Sequence, residues 1–207
     1  MNPRHLLTAM VVFLSAGYAG AQSWPFELWH DGRIILITGD TLKGKVKYDL
    51  MQDLVQYDFT NVRTEVFTPR KVLFFEIFDK TVNRYRNFFA LPYHATTGYK
   101  TSLFFELIEE GNMTLLAREV LEYRTYNSPY YFGSFSRQVL VYKYFLLKED
   151  GSILEFTGNK NDLLQLMGNK AEAVEKYIKS NRLKFEEKYD LARIVAYYNS
   201  LFDESIN

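Results

Sequence analysis

The side chains that could carry acid–base chemistry in this chain are acidic residues that recur in pairs. Glu106 and Glu119 fall in two neighbouring predicted strands, and Glu109 and Glu110 precede a predicted turn. Two carboxylates that flank a glycosidic bond can hydrolyse it. Charged side chains on strands and turns are mostly solvated, so we expect these carboxylates to face water. Glu106 and Glu119 are nevertheless the basis of a hydrolase alternative.

The other patterns typical of catalytic or metal sites are incomplete. Cysteine is absent, which excludes thiol catalysis, thiolate metal sites, disulfides and an acylated lipid anchor. His30 and His94 are the histidines that remain beyond the first residues of the chain, too few for a transition-metal site without distant carboxylates. Ser134 lacks the second glycine of a nucleophile elbow. These patterns favour a protein without catalytic activity, cofactor or metal.

Residues 39–46, Gly-Asp-Thr-Leu-Lys-Gly-Lys-Val, are similar to a phosphate-binding loop. Val46 stands where such a loop needs a Ser or Thr for magnesium, and an alternating strand pattern follows where a helix is required. Gly39-Asp40 is typical of a tight turn between two strands, and Gly44 is consistent with a bulge in the second one. We predict a β-hairpin here.

The most unusual segment comprises residues 123–135, in which six aromatic residues lie among turn-forming residues. Rigid rings in a loop can stack on sugars or dock a protein partner, and arginines add polar contacts. The alternative is a loop that folds back over an open end of the sheet and closes its core, since an exposed apolar cluster favours aggregation. The residues that we predict to bind a ligand or partner are Tyr126, Tyr130, Tyr131, Phe132, Phe135, Arg124 and Arg137.

The elements that must position these residues are predicted to be strands first and helices last. Period-two runs predict about nine strands joined mostly by short turns, with Asp150-Gly151 as the strongest hairpin signal. The predicted strands lie at 33–38, 42–48, 54–59, 72–78, 85–91, 101–108, 113–123, 139–148 and 153–157.

Past Gly158 the apolar period changes to that of helices. In the last predicted helix Leu191, Ile194, Val195 and Tyr198 form one apolar stripe that needs a partner surface, and the sheet is the obvious one. The predicted fold class is therefore α+β: an antiparallel meander, either a twisted sheet or a partly closed barrel, with two or three C-terminal helices packed on it.

Residues 1–21 are typical of a secretory signal peptide. Arg4 supplies the charged region, residues 6–14 are mostly apolar, and Ala19-Gly20-Ala21 forms a cleavage motif. The apolar run is too short to span a bilayer, so we expect no transmembrane span in the mature chain. We predict a signal peptide at 1–21, a β-rich body at 22–158 and a helical subdomain at 159–207, in a protein exported to the periplasm or the cell exterior.

Charge and composition narrow the possible partners. Lys and Arg together number 25, as do Asp and Glu, so there is no positive field to attract nucleic acid. Aromatic residues make up 17% of the chain, and such residues are enriched in sheets. We therefore expect a β-rich protein with no nucleic-acid partner.

Several short motifs occur together along the chain. They are Asp-Gly-Arg-Ile-Ile-Leu at 31–36, the glycine-containing run at 39–46, Thr-Pro-Arg-Lys-Val at 68–72, Lys-Asn-Asp-Leu-Leu at 160–164, Asp-Leu-Ala-Arg-Ile-Val at 190–195 and Tyr-Tyr-Asn at 197–199. In these motifs the chain resembles uncharacterised exported proteins of Bacteroidota-type bacteria. The resemblance implies a cell-envelope or secreted context and no catalytic activity.

The function predicted from these patterns is that of an exported, non-catalytic envelope module that binds a glycan, a peptide or a protein partner. One alternative is a hydrolase of envelope polymers that uses paired carboxylates such as Glu106 and Glu119. Another is a structural partner of an outer-membrane complex, which would present a large apolar patch on the sheet.

Overall fold

The computed structural model describes residues 24–58, 63–94, 99–127 and 133–203. The predicted signal peptide and the predicted site residues Tyr130, Tyr131 and Phe132 lie outside these ranges. The strands are β1 (His30–Leu36), β2 (Thr41–Asp49), β3 (Leu54–Asp58), β4 (Thr64–Phe67), β5 (Val72–Asp79), β6 (Arg84–His94), β7 (Lys100–Glu109), β8 (Thr114–Asn127), β9 (Ser134–Leu147) and β10 (Ile153–Phe156). The helices are α1 (Lys160–Leu166), α2 (Ala171–Asn181) and α3 (Lys188–Asp203), with 3₁₀ turns at Pro25–Glu27 and Gly168–Lys170.

The ten strands form one antiparallel sheet in the order β10-β9-β8-β7-β6-β5-β1-β2-β3-β4. The sheet is open, with β10 and β4 as its edges, and the predicted α+β class is confirmed. Two details differ from a simple meander. The short strand β4 was not predicted, and after it the chain returns to place β5 beside β1.

The hairpin predicted at residues 39–46 is confirmed. The Leu36 amide donates to the Asp40 carbonyl, and Gly39 has a φ of 92°, which a tight turn of this kind requires. The predicted bulge at Gly44 is wrong, because Gly44 pairs in regular register with Gly32. A Cβ at Gly44 would lie 2.9 Å from the Asp58 carbonyl oxygen, so close packing explains this glycine.

One face of the sheet curls around an aromatic core. The stacked rings of Phe75 and Phe88 have centroids 4.6 Å apart, and Tyr48 of β2 reaches across to Phe104 of β7. Asp53, in the turn between β2 and β3, holds this curl: it accepts hydrogen bonds from the Tyr48 hydroxyl and the Phe104 amide. The core of the β-rich part is thus built by the sheet packing on itself.

The helices cover the same face of the sheet farther along, over β8, β9 and β10. The predicted stripe of Leu191, Ile194, Val195 and Tyr198 is buried against the sheet, as expected. Asn199 of α3 also bonds the backbone N–H and C=O of Met113 in the β7–β8 turn, at 2.9 and 3.0 Å. Within the residues that the structure describes, none of the helices combines the length and apolar character that crossing a bilayer demands.

Candidate functional site

The two longest strands, β8 and β9, extend beyond their neighbours. They pair with each other from Thr114 to Asn127 without a break in register. On one side β7 pairs with β8 only at residues 115–117, and on the other β10 pairs with β9 only at residues 144–147. Residues 118–127 and 134–143 therefore form a two-stranded ribbon with no further strand partner among the described residues.

The ribbon corrects the prediction of an aromatic loop at residues 123–135. Tyr123 to Asn127 lie in β8, and Ser134 and Phe135 lie in β9. Asn127 pairs with Ser134 across the ribbon, and the Thr125 and Ser136 hydroxyls lie 2.8 Å apart. Polar residues fit here because residues 123–127 and 134–138, the outer part of the ribbon, are mostly exposed on both faces, so no apolar alternation is needed.

One face of the ribbon brings four of the predicted binding residues together. Arg124 lies directly opposite Arg137, and Tyr126 lies directly opposite Phe135. The Tyr126 and Phe135 rings are stacked with centroids 5.6 Å apart, and the Arg137 guanidinium lies 4.7 Å from the centre of the Tyr126 ring. We call these four residues the ribbon platform.

The ribbon platform is exposed and basic. The Phe135 side chain is 55% exposed, and on the opposite face of the ribbon Tyr123 is 74% exposed. Neither arginine is paired with a carboxylate among the described residues. Like charges directly opposite on neighbouring strands destabilise a sheet. The opposed arginines therefore weaken the isolated ribbon and suit an anionic partner.

The expectation that the carboxylates of the hydrolase alternative face water is wrong. Glu106 and Glu119 are each 5% exposed. Arg86 of β6 lies between them: it donates two hydrogen bonds to Glu106, at 3.0 and 2.9 Å, and one to Glu119, at 2.7 Å. The same guanidinium donates to Asp79 at 3.2 Å. The buried cation thus binds three carboxylates.

Two further side chains complete this buried ionic cluster. Lys188, the first residue of α3, donates to both oxygens of Glu106, at 2.8 and 2.9 Å. Tyr142 of β9 donates to Glu119 at 3.0 Å, and its ring lies under the Lys188 ammonium. The cluster therefore ties the start of the last helix to five adjacent strands, β5 to β9.

The electrostatics of the cluster favour the ionised forms of Glu106 and Asp79. Burial by itself raises the pKa of Glu106, but Arg86 and then Lys188 outweigh it, so this pKa lies below its ordinary value. Burial likewise opposes ionisation of Asp79, but hydrogen bonds from Thr81 and the charge of Arg86 lower its pKa. Burial raises the pKa of Tyr142, and the charge of Glu119 adds to that effect.

This arrangement does not favour glycoside hydrolysis. A catalytic acid needs a raised pKa, whereas the pKa of Glu106 is lowered. The cavity beside the cluster has a volume of about 40 Å³, which admits water but no sugar ring. The chemistry that the cluster supports is electrostatic attachment of α3 to the sheet.

The other residues considered for chemistry are not brought together. His30 is buried with its Nδ1 3.3 Å from the Phe78 carbonyl oxygen, and His94 lies at the exposed end of β6. Glu109 ends β7, half-buried, and Glu110 is exposed in the turn that follows. In the described ranges no three histidine or carboxylate side chains form a group that could hold a metal ion.

The sequence contained a signal for the buried cluster that the predictions did not use. Each of these charged residues lies two positions from an apolar residue on the same strand. The pairs are Arg86 and Phe88, Glu106 and Phe104, and Glu119 and Ala117. Because side chains two residues apart on a strand share a face, these charges lie on the same face as buried apolar residues. Their burial could have been predicted from this pattern.

Comparison with known proteins identifies no relative. No family model matches the chain, and neither curated proteins nor solved structures provide a match. The resemblance to exported proteins of Bacteroidota-type bacteria therefore stays a prediction.

Proposed function

We propose that the chain is an exported, non-catalytic envelope module that binds an acidic protein partner through its ribbon. The observation that carries the proposal is the ribbon platform: Arg124 opposite Arg137, beside the stacked rings of Tyr126 and Phe135. The export part of the proposal rests on the signal-peptide pattern of residues 1–21.

The platform is costly to the free protein. Opposed like charges on neighbouring strands destabilise by a fraction of a kcal/mol, up to about 1 kcal/mol, and an exposed aromatic pair invites aggregation. A partner with carboxylates would neutralise both guanidinium groups, which bind carboxylates through paired N–H donors. Its apolar or aromatic groups would cover the rings, and aromatic residues and arginine are the types that dominate binding energies at protein interfaces.

Binding to a soluble acidic probe tests the proposal. The wild type is immobilised and titrated with a glutamate-rich polypeptide, and the measurement is repeated with the double variant Arg124→Ser/Arg137→Ser. We expect the wild type to bind the probe, with an affinity that falls as salt is added, and the double variant to bind at least tenfold more weakly. An acidic polysaccharide is titrated in parallel, and exclusive binding of the polysaccharide would refute a protein partner.

A matched control removes the same charge from another place. Lys43, on β2, and Lys176, on α2, are exposed, so Lys43→Ser/Lys176→Ser lowers the net charge equally. This variant is expected to bind like the wild type. Equal losses in both double variants would show a general charge effect and would contradict a ribbon site.

Arg124→Ser alone is expected to raise the free energy of unfolding slightly, because it removes the repulsion between Arg124 and Arg137.

A further inference from the structure

We propose that the partner of the ribbon is an extended acidic peptide segment that adds to the free edge of β9 as a new strand, antiparallel to β9 and in line with β10. This inference rests on the proposed function and names how the partner binds. The strand β10 is short and ends at Phe156, opposite Tyr144. Beyond that point residues 134–143 of β9 have β8 as their sole strand partner in the described part of the chain.

The hydrogen-bond pattern shows which backbone groups lie on the free edge. The Lys148 amide donates to the Ser152 carbonyl across the β9–β10 hairpin, at 2.9 Å. In an antiparallel ladder the N–H and C=O of a residue point to the same side, and alternate residues point to opposite sides. The register of β9 with β8 is unbroken, so every second residue counted back from Lys148 faces away from β8. On the uncovered part of β9 these residues are Tyr142, Leu140, Gln138 and Ser136.

Between Arg137 and Lys143 this edge lacks the features that usually prevent strand addition. Natural edge strands are kept short or are interrupted by proline, bulges or lysine. The run from Gln138 to Tyr142 reads Gln-Val-Leu-Val-Tyr and contains no proline, lysine or bulge. Its high β-propensity makes it a ready template for another strand.

A groove of about 540 Å³ lies along this edge. Leu140, Tyr142 and Phe185 supply apolar side chains on the helical side of the groove. Its charged lining residues are Arg124, the ion pair of Lys143 with Glu155, and Glu186. On the other face of β9, Arg137 belongs to the ribbon platform. An added strand would therefore meet apolar groups on one face and guanidinium groups on the other.

The protein's own β10 indicates the sequence pattern that fits. Phe156 lies on the helical side of the sheet and is buried in its core, whereas Glu155 points to the other face, 3.7 Å from Lys143. A ligand that continues this line would likewise alternate apolar residues on the helical side with acidic residues on the platform side. The acidic residues are complementary in charge to Arg124 and Arg137. A second copy of the chain would bring its own Arg137 to this edge, so the two arginines favour a peptide partner.

The test uses a synthetic peptide of alternating valine and glutamate residues and two backbone-methylated forms of it. In the proposed antiparallel pairing the valine amides face β9 and the glutamate amides face away. Methylation of the valine nitrogens is expected to abolish binding, whereas methylation of the glutamate nitrogens is expected to leave binding within about twofold, since it removes no inter-strand bond. Equal effects of the two methylations would overturn strand addition.

Hydrogen exchange of the protein provides a second readout. On binding of the peptide, the amides of Ser136, Gln138, Leu140 and Tyr142 are expected to slow in exchange, while the intervening amides, already bonded to β8, change little. If binding still depends on Arg124 and Arg137 but no such alternation is found, the proposed function stands and strand addition is refuted. If the protein alone shows the alternation and sediments as a dimer, the occupant is a second copy, and the peptide proposal fails.

A protein variant completes the test. Gln138→Pro removes an N–H that faces outward, which an edge strand tolerates, and it is expected to weaken peptide binding about fivefold or more, the effect of one lost hydrogen bond. Gln138→Ala is the matched control and is expected to bind like the wild type. Unfolding midpoints of both variants are measured to show that each is folded, and undiminished binding by a folded Gln138→Pro would contradict the proposal.

Discussion

Replacing Arg86 with methionine removes the cation on which the buried ionic cluster depends. Methionine keeps an unbranched apolar chain in the space of the arginine stem, so the main change is loss of charge and of hydrogen-bond donors. After the change Glu106 keeps its bonds to Lys188, and Glu119 keeps its bond from Tyr142. Asp79 keeps its bonds from Thr81. Of the two cations in the cluster only Lys188 then remains, and it bonds to Glu106 alone of the three carboxylates.

The structure makes the expected loss large. Arg86 and its three carboxylate partners have side chains that are at most 6% exposed. Breaking a buried ion pair by removing one partner costs about 3–5 kcal/mol, because an uncompensated charge stays in the interior. The whole free energy of unfolding of a typical protein is about 5–15 kcal/mol. We therefore expect Arg86→Met to lose a large fraction of the stability, measured by urea denaturation at neutral pH.

The pH dependence of this loss gives the sharper test. In the wild type the lowered pKa values of Glu106 and Asp79 stabilise the fold above the unfolded values, about 4.3 and 3.9, and this stability is lost as the pH falls through the folded values. Without Arg86 burial dominates, the pKa values of these carboxyls rise, and protonation stabilises the variant. The difference in stability between wild type and variant is therefore expected to shrink from pH 7 towards pH 4.

A matched surface substitution and a milder cluster variant keep the experiment interpretable. Arg33 pairs with Glu76, but its side chain is 43% exposed, so Arg33→Met is expected to cost about 1 kcal/mol or less. If Arg86→Met does not fold, Glu119→Gln, which retains an acceptor for Tyr142, is expected to cost about 1–3 kcal/mol. Equal losses for Arg86→Met and Arg33→Met, or a difference that does not shrink on acidification, would refute the account of the cluster.

Three further substitutions test how the sheet is held in place. Asn199→Ala removes three hydrogen bonds to the β7–β8 turn, two with Met113 and one with Glu110. It is expected to lower the free energy of unfolding by about 1–3 kcal/mol. Ser200→Ala, an exposed neighbour, serves as its control, and equal urea midpoints would contradict the role of Asn199. Gly44→Ala places a Cβ 2.9 Å from the Asp58 carbonyl oxygen and is expected to lower the free energy of unfolding by about 1–3 kcal/mol. An unchanged melting temperature would contradict close packing of β2 and β3 at this position. Asp53→Ala removes the side-chain acceptor for the Tyr48 hydroxyl and the Phe104 amide. It is expected to lower the free energy of unfolding more than Asp53→Asn does, because asparagine keeps an acceptor and tolerates the left-handed backbone. Urea denaturation of the two variants measures this difference, and equal losses would contradict it.

The regular parts of the fold could be predicted because apolar burial imposes a period on the sequence. The hairpin at Asp150-Gly151 and the apolar stripe of α3 are examples. β4 was missed because its four residues, Thr64–Phe67, are too few to show a period and are mostly exposed. The outer part of the ribbon resembles a loop in the sequence, because strands with water on both faces carry no burial pattern.

The candidate sites differ in how far the sequence could reveal them. The positions of Arg86, Glu106 and Glu119 follow from a meander together with strand alternation, since β6, β7 and β8 are consecutive neighbours. Lys188 could not be placed, because nothing in the sequence determines where α3 crosses the sheet. The free edge of β9 could not be predicted either, since it depends on where β10 stops pairing and not on any property of β9 itself.

The buried ionic cluster and the ribbon are connected by position. Glu119 and Tyr142 lie directly opposite each other, at the point where the ribbon leaves its neighbouring strands, and Arg86 holds that pair from β6. A directional, buried contact at the root of the ribbon fixes the angle at which it leaves the sheet, and binding groups carried on fixed strands are placed more accurately than groups on loops. The opposed arginines at the outer end weaken only the ribbon, because the packed core does not depend on them. The stable base thus allows an exposed edge and an unpaired basic platform to persist in the free protein, as the proposed strand addition requires.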